Sequence, residues 1–509
     1  MSRSALCLVF AILGWSLWPL PPVQAQEPAS GCAPPLTRDA RSAAARVDEN
    51  HLPADVSTTQ ALSLGGQCLK FQSVAGSIRL SDEHNAPQAD VAFVAYLLDG
   101  AEVGKRPVTF AINGGPGAGS AWLQLGAIGP WRLPMKGLSP STPPILVDNA
   151  ETWLEFTDLV FIDPPGTGYS KLRALNDDAK KAYWSVDGDI DGLAVVIRRW
   201  LAENNRLASP KFIVGESYGG FRGPLLAKEL ATKQGVGING LVLISPVLDF
   251  GHFSAGPNDV FPFLTRLPSF AAAFREKKAP VAEADLADVE QYATGDFLRD
   301  WLRGPRDADA LNRRVQRVAE LTGLDPAVVR RYGGQIAEWD FLREFERAQG
   351  KALAFYDASI DADTPFPTSY RNDWLDPVLP GFVAPFNSAI ETLYQQKLGW
   401  KIDDRYELLN EAVENGWNWG KRISPPSALE ALRQMLALDP HFRVLISHGL
   451  TDVQTPYFAT KLQLAQIPDI GVPGRLTLTV HPGGHMHYSR DETRKTLRDE
   501  ARRLIKQEP

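Results

Sequence analysis

The residues best suited to chemistry stand in one short stretch, Gly215-Glu216-Ser217-Tyr218-Gly219. A serine hydroxyl is a weak nucleophile by itself. It needs an exposed Oγ, a base to take its proton, a carboxylate to orient that base, and donors for the oxyanion. The apolar run Phe212-Ile213-Val214 precedes the pentapeptide, and a helix-like segment from Tyr218 to about Thr232 follows it. Strand, Gly-x-Ser-x-Gly and helix in that order describe a nucleophile elbow, whose glycines leave room where a Cβ would crowd the turn.

The other parts of such a site each lie on a loop just past an apolar run. Asp452, in Gly449-Leu450-Thr451-Asp452, follows the run ending at Ile446 and is expected to orient the base. His485, in Gly483-Gly484-His485-Met486, follows the next run and is expected to be the base. The two glycines before it permit the bend that would swing a ring toward the serine, which favours His485 over its neighbours His481 and His487. His448 is expected to serve a local hydrogen bond. The oxyanion donors are expected to be the backbone N–H of Tyr218 and that of Gly115 in the Gly114-Gly115 turn. No metal or other cofactor is expected, because the three clustered histidines lack a cysteine or carboxylate at a ligand spacing. Nor is Gly114-Gly115-Pro116-Gly117 a phosphate loop, since it fails both Gly-x-Gly-x-x-Gly and a following Gly-Lys-Ser/Thr. The chain order Ser, Asp, His is that of the α/β-hydrolases.

These residues need a scaffold, and the pattern of the chain supplies one. Strands are expected at Cys68–Val74, Ser77–Leu80, Val91–Leu97, Val108–Ile112, Asp158–Ile162, Phe212–Val214, Gly240–Ser245, Phe442–Ile446 and Arg475–Val480. Ile190, Leu193, Ala194, Ile197 and Leu201 fall at helical spacing between two of them. Alternating strands and helices predict an α/β fold: a mainly parallel central sheet, helices on both faces, and loops at the carboxyl ends forming the site. The rhythm stops between 251 and 422, where charged, aromatic, helical sequence is expected to form an inserted cap. The expected divisions are 1–25, a signal peptide; 26–66, a loose leader; 67–250 and 423–509, the two parts of the core; and 251–422, the cap.

Composition narrows the function. The 509 residues suffice for a large core and an insertion, and 44% are hydrophobic. A formal charge of −7 with no basic run argues against a nucleic-acid partner. Arg3, the apolar Ala5–Leu20 and the small-x-small site Val23-Gln24-Ala25 form an export signal, placing the mature chain in the periplasm or outside the cell. Prolines at 19, 21 and 22 break that segment as a membrane span, so no stable membrane anchor is expected. Cys32 and Cys68 remain after cleavage, an even pair that could form a disulfide in an oxidising compartment.

In its motifs the chain resembles the serine carboxypeptidases, and it looks like an exported, bacterial-type member. The resemblance is carried by Asn113-Gly114-Gly115-Pro116-Gly117, by Gly215-Glu216-Ser217-Tyr218-Gly219 with Pro224, by the Gly449 to Asp452 turn and by Gly484-His485-Met486. It implies an α/β-hydrolase fold and release of C-terminal residues from peptide substrates through an acyl-enzyme. It also implies that Asn113, Gly114 and Glu216 bind the substrate's terminal carboxylate. Three positions depart from the family: Ala127 stands where studied members have a second glutamate of that clamp, Ala111 where they have tryptophan, and Ala118 where they have cysteine. The competing expectations are an aminopeptidase or prolyl iminopeptidase, and an esterase or acyltransferase on the same scaffold.

Overall fold

The computed structural model describes residues 38–39, 52–173, 177–253, 258–369, 376, 378–420 and 424–507. The proposed signal peptide and Cys32 lie outside them. An eleven-stranded sheet runs through the molecule. Its long strands are β1 (Val56–Leu64), β2 (Gln67–Ser81), β3 (Pro87–Leu98), β4 (Val108–Ile112), β5 (Asp158–Ile162), β6 (Lys211–Glu216), β7 (Gly240–Ile244), β8 (Arg443–Gly449) and β9 (Leu476–His481). They lie in the order β1-β2-β3-β5-β4-β6-β7-β8-β9. Pairing is antiparallel from β1 as far as β5 and parallel from β5 to β9.

The parallel strands β4, β5 and β7 are buried along their whole length. Successive side chains leave opposite faces, so each strand feeds two cores. Phe110 and Ile112 pack on one side with Leu193, Ile197 and Trp200, while Ala111 joins Trp122, Trp131 and Tyr488 on the other. Helix α1 (Val186–Glu203) buries the residues its spacing marks out, and Ser185 caps it by accepting the Gly188 N–H. Helix α2 (Tyr218–Glu229) leaves the elbow.

Several expectations change. The leader does not extend to residue 66: β1 occupies Val56–Leu64 and turns into β2 through Gly65 and Gly66, both at positive φ. Its Ser/Thr/Gln content hides it in the sequence, yet alternation brings Leu62 into the core. Likewise the two short strands expected at 68–74 and 77–80 are one continuous strand, β2. Within the expected cap, the described part up to residue 358 packs with Leu450, Val453, Tyr457 and Phe458 of the later chain into one apolar cluster, around the stacked pair Phe270 and Phe341, with ring centroids 4.1 Å apart. The later part differs. Helix α3 (Leu379–Thr392) and the chain to Leu408 pack into the core beside the sheet, with Phe386 4.5 Å from Trp122. A short strand pair, Lys351–Leu353 with Asp361–Asp363, also interrupts the helices.

Candidate active site

Ser217 follows the last residue of β6 and has φ 58° and ψ −121°, a conformation a non-glycine residue holds only when its surroundings impose it. Those surroundings are backbone. A Cβ on Gly215 would meet the Gly219 carbonyl at 2.0 Å, and one on Gly219 would meet the Ile112 carbonyl at 2.3 Å. The Ser217 N–H donates to the Ile244 carbonyl at 2.9 Å, tying the elbow to β7. Ser217 is half-buried and Gly115 exposed, whereas Asn113, Gly114, Glu216, Tyr218, Asp452 and His485 are buried.

Gly114 lies so close to the elbow that a Cβ there would stand 2.6 Å from the Tyr218 nitrogen. The two backbone stretches expected to bind the oxyanion are therefore neighbours. Tyr218 opens α2, where N–H groups lack an intrahelical acceptor. A buried ion pair grips both. Arg222 Nε donates to Asp189 Oδ2 at 2.6 Å, its Nη1 donates to the Asn113 carbonyl at 2.5 Å, and its guanidinium lies 4.7 Å from the Tyr218 ring centroid.

The His485 ring lies on the acid. Its Nδ1 is 2.9 Å from Asp452 Oδ2, and Asp452 Oδ1 accepts the N–H groups of Gln454 and Thr455 at 2.9 Å each. The Thr455 hydroxyl sits 3.0 Å from His485 Nδ1 and 2.7 Å from Asp452 Oδ2. Ser245, at the end of β7, donates its hydroxyl to the His485 carbonyl at 2.8 Å. So β7 holds both the elbow and the histidine loop. Burial alone would lower the His485 pKa; the Asp452 charge and hydrogen bond, with Glu216 nearby, outweigh it and raise it. The paired glycines have two separate jobs. Gly483 takes φ 119°, and Gly484 passes against Tyr356 and Asp357, where a Cβ would meet the Tyr356 carbonyl at 2.0 Å. That carbonyl accepts the His485 N–H, and the Tyr356 ring stands edge-on to the imidazole at 5.1 Å.

The other histidines are engaged elsewhere. His481 faces Glu500 at 3.2 Å, His487 bonds Ser447 Oγ at 2.9 Å, and His448 bonds Thr460 Oγ1 at 2.9 Å. No group of three potential metal ligands occurs among the described residues.

Beside the serine, Glu216 is a fully enclosed carboxyl. Asn113 Nδ2 donates to its Oε2 at 2.6 Å, and the Tyr488 hydroxyl lies 3.0 Å from both its oxygens. Burial pushes its pKa up to about 7, against the opposing pull of His485 and the two hydrogen bonds. Ala127 is buried and contributes no polar group. Cys68 is disulfide-bonded; Cys32, its expected partner, lies outside the described residues.

Sequence reasoning missed Thr455, Tyr488, Arg222, Asp189 and Tyr356. A signal existed for two of them: Asp189 and Arg222 are charges on the otherwise apolar buried faces of their helices. Tyr488 and Tyr356 carry no such mark.

The sheet order, the strained elbow after β6 and the acid and histidine on loops past β8 and β9 define an α/β-hydrolase fold. Residues 67–253 match the family model described as serine carboxypeptidase, a stretch that holds the Asn113 turn and the elbow. Similar proteins include serine carboxypeptidase-like 9 of Arabidopsis thaliana, 25% identical over 35% of this chain and 40% of that protein. Another is the pheromone-processing carboxypeptidase KEX1 of Colletotrichum graminicola, 29% identical over 31% of this chain and 24% of that protein. The chain thus spans less than half the length of these curated relatives. Among solved structures, a prohormone-processing carboxypeptidase from Saccharomyces cerevisiae matches with a TM-score of 0.56 at 17% identity, covering 86% of this chain and 91% of that one.

Proposed function

We propose that this protein is a serine carboxypeptidase that releases C-terminal residues from peptides. The observation that carries the reading is Glu216: a buried carboxyl bonded to Asn113, immediately before a serine in the elbow conformation. Such a group keeps a proton near neutrality and can donate it to another carboxylate, which an ordinary ionised glutamate cannot. Asn113, Gly114 and Glu216 would bind the substrate's terminal carboxylate and so place the last peptide bond over Ser217.

In the reaction, Ser217 Oγ attacks that carbonyl while its proton passes to His485, which Asp452 holds in the required tautomer. The N–H groups of Gly115 and Tyr218 receive the oxyanion. His485 then gives the proton to the departing amine of the released amino acid, leaving an acyl-enzyme. A water molecule, deprotonated by His485, hydrolyses it. No cofactor enters these steps. Free-acid cleavage should fall as pH rises past neutrality, because an ionised Glu216 repels the terminal carboxylate. The signal sequence supports export to the periplasm or beyond, and no helix among the described residues is long and apolar enough to cross a membrane.

The test uses one peptide as C-terminal acid and as amide. Trimming of the acid from its C-terminus, with the amide much slower at mildly acidic pH, is expected. Trimming from the N-terminus would replace this reading with the aminopeptidase one. Hydrolysis of simple esters alone would replace it with the esterase one.

A further inference from the structure

We propose that Tyr488 is a positioning residue for recognition of the terminal carboxylate: its phenol holds Glu216 against Asn113 and sets the pH at which the clamp loses its proton. The inference rests on the carboxypeptidase reading and assigns a role to a residue that the family motifs do not mark.

Tyr488 is carried by the loop that carries His485, three residues further on. Its hydroxyl lies 3.0 Å from Glu216 Oε1 and 3.0 Å from Oε2, so one phenolic proton is shared across the carboxyl edge. Asn113 Nδ2 occupies a second direction at Oε2, 2.6 Å away. Two donors from distant parts of the chain thus fix the plane of the carboxyl. The ring also fills space beside Gly126, where an added Cβ would come within 2.9 Å of its Cε2. Next in the chain is the small, buried Ala127. The phenol therefore lies against the segment in which the resemblance would put a second glutamate.

The two arrangements differ in chemistry. A pair of carboxyl groups must share a proton to avoid repulsion, so the pair titrates as a unit. A phenol does not ionise in the working range; burial first, then the Glu216 charge, hold the Tyr488 proton in place. The ionisable groups that act on Glu216 are His485, which favours its charged form, and Asp452, which opposes it; the Tyr356 phenol also lies within its field. Glu216 is then the one carboxyl of this clamp that titrates near neutrality. Because Tyr488 donates to the ionised form, it lowers the proton affinity of Glu216. Removing the hydroxyl should loosen the clamp and yet extend its action to higher pH.

The experiment measures KM against pH for matched peptide acid and amide on wild type and Tyr488→Phe, which keeps the ring. In the wild type the acid-to-amide KM ratio should rise tenfold per pH unit beyond the transition, a one-proton slope. In Tyr488→Phe the rise should begin about one pH unit higher, the expected effect of losing one hydrogen bond to a charged group. Taking the ratio within each variant removes any loss common to both substrates. An infrared titration without substrate supplies a second readout: the carbonyl band of protonated Glu216, found by difference against Glu216→Gln, should vanish at higher pH in Tyr488→Phe. Coincident titrations, or a shift to lower pH, would overturn the role of Tyr488. A two-proton slope in the wild type would overturn the single-carboxyl clamp. Identical acid and amide profiles in the wild type would instead sink the carboxypeptidase reading, and the infrared titration would still decide whether Tyr488 governs the Glu216 proton.

Discussion

Replacing Glu216 by glutamine should change how stability depends on pH, in a direction opposite to that of most carboxylates. Glu216 is 3% exposed, and burial lifts its carboxyl from 4.5 to about 7. Below pH 4.5 it is protonated in both the folded and the unfolded chain, and its contribution is constant. Between 4.5 and about 7 the unfolded chain has released the proton while the folded one retains it. The folded state then binds more protons, so stability falls as pH rises. Above about 7 both states are ionised and the loss is complete. At about 1.4 kcal/mol per pH unit across that interval, ionising Glu216 in the fold costs about 3 kcal/mol. Glutamine cannot ionise, and it still offers Asn113 and Tyr488 an acceptor. Unfolding free energies from urea titrations should therefore converge toward a fixed difference below pH 4.5. From there the variant should gain on wild type by about 3 kcal/mol up to pH 7–8. Other titrating groups cancel in the difference, except those whose charges act on Glu216, His485 first, which broaden the window. A difference that stays flat from pH 4 to 8 would refute the argument, because Glu216 would then ionise in the fold as it does in water. The proton assigned to the clamp would not exist.

Three further outcomes bear on the site. Ser217→Ala should lower turnover by several orders of magnitude with folding intact, and a serine-directed phosphonate should label residue 217 of the wild type; peptide mapping of the adduct checks this. Asp452→Asn should cost up to ~10⁴ in kcat through the wrong imidazole tautomer. His485→Ala should cost at least as much, while His481→Ala and His487→Ala, away from Asp452, should be mild; steady-state kinetics on one peptide ranks the four. Asp189→Asn leaves the Arg222 charge buried without its counter-ion and should destabilise the fold by about 3–5 kcal/mol. A urea midpoint close to that of wild type would deny this pair its role in gripping the Asn113 turn.

What the sequence determined by itself is what depends on short stretches of chain. The elbow is legible because a strand, a tight turn and a helix are each local. Gly215 and Gly219 are required by the backbone atoms of that same turn and of the neighbouring β4. The parallel strands are legible because burial on both faces leaves continuous apolar runs such as Gly240–Ile244. Strand β1 escaped for the opposite reason, polar residues interrupting its apolar ones and only Thr58 and Leu62 being buried. Only the tertiary structure decided what surrounds the reactive groups. Tyr488 reaches Glu216 across 272 residues of chain, and Thr455 reaches the Ser245 carbonyl across 210. Nothing in the composition near Tyr488 distinguishes it from any other core tyrosine. The same holds for the division of the stretch expected as a cap, whose later part joins the main core because Phe386, Tyr394 and Trp400 find apolar partners there. Hydrogen-bond partners and proton affinities are properties of an enclosure. An enclosure is assembled from distant segments, so the residues that tune Glu216 and His485 became visible only when those segments were brought together.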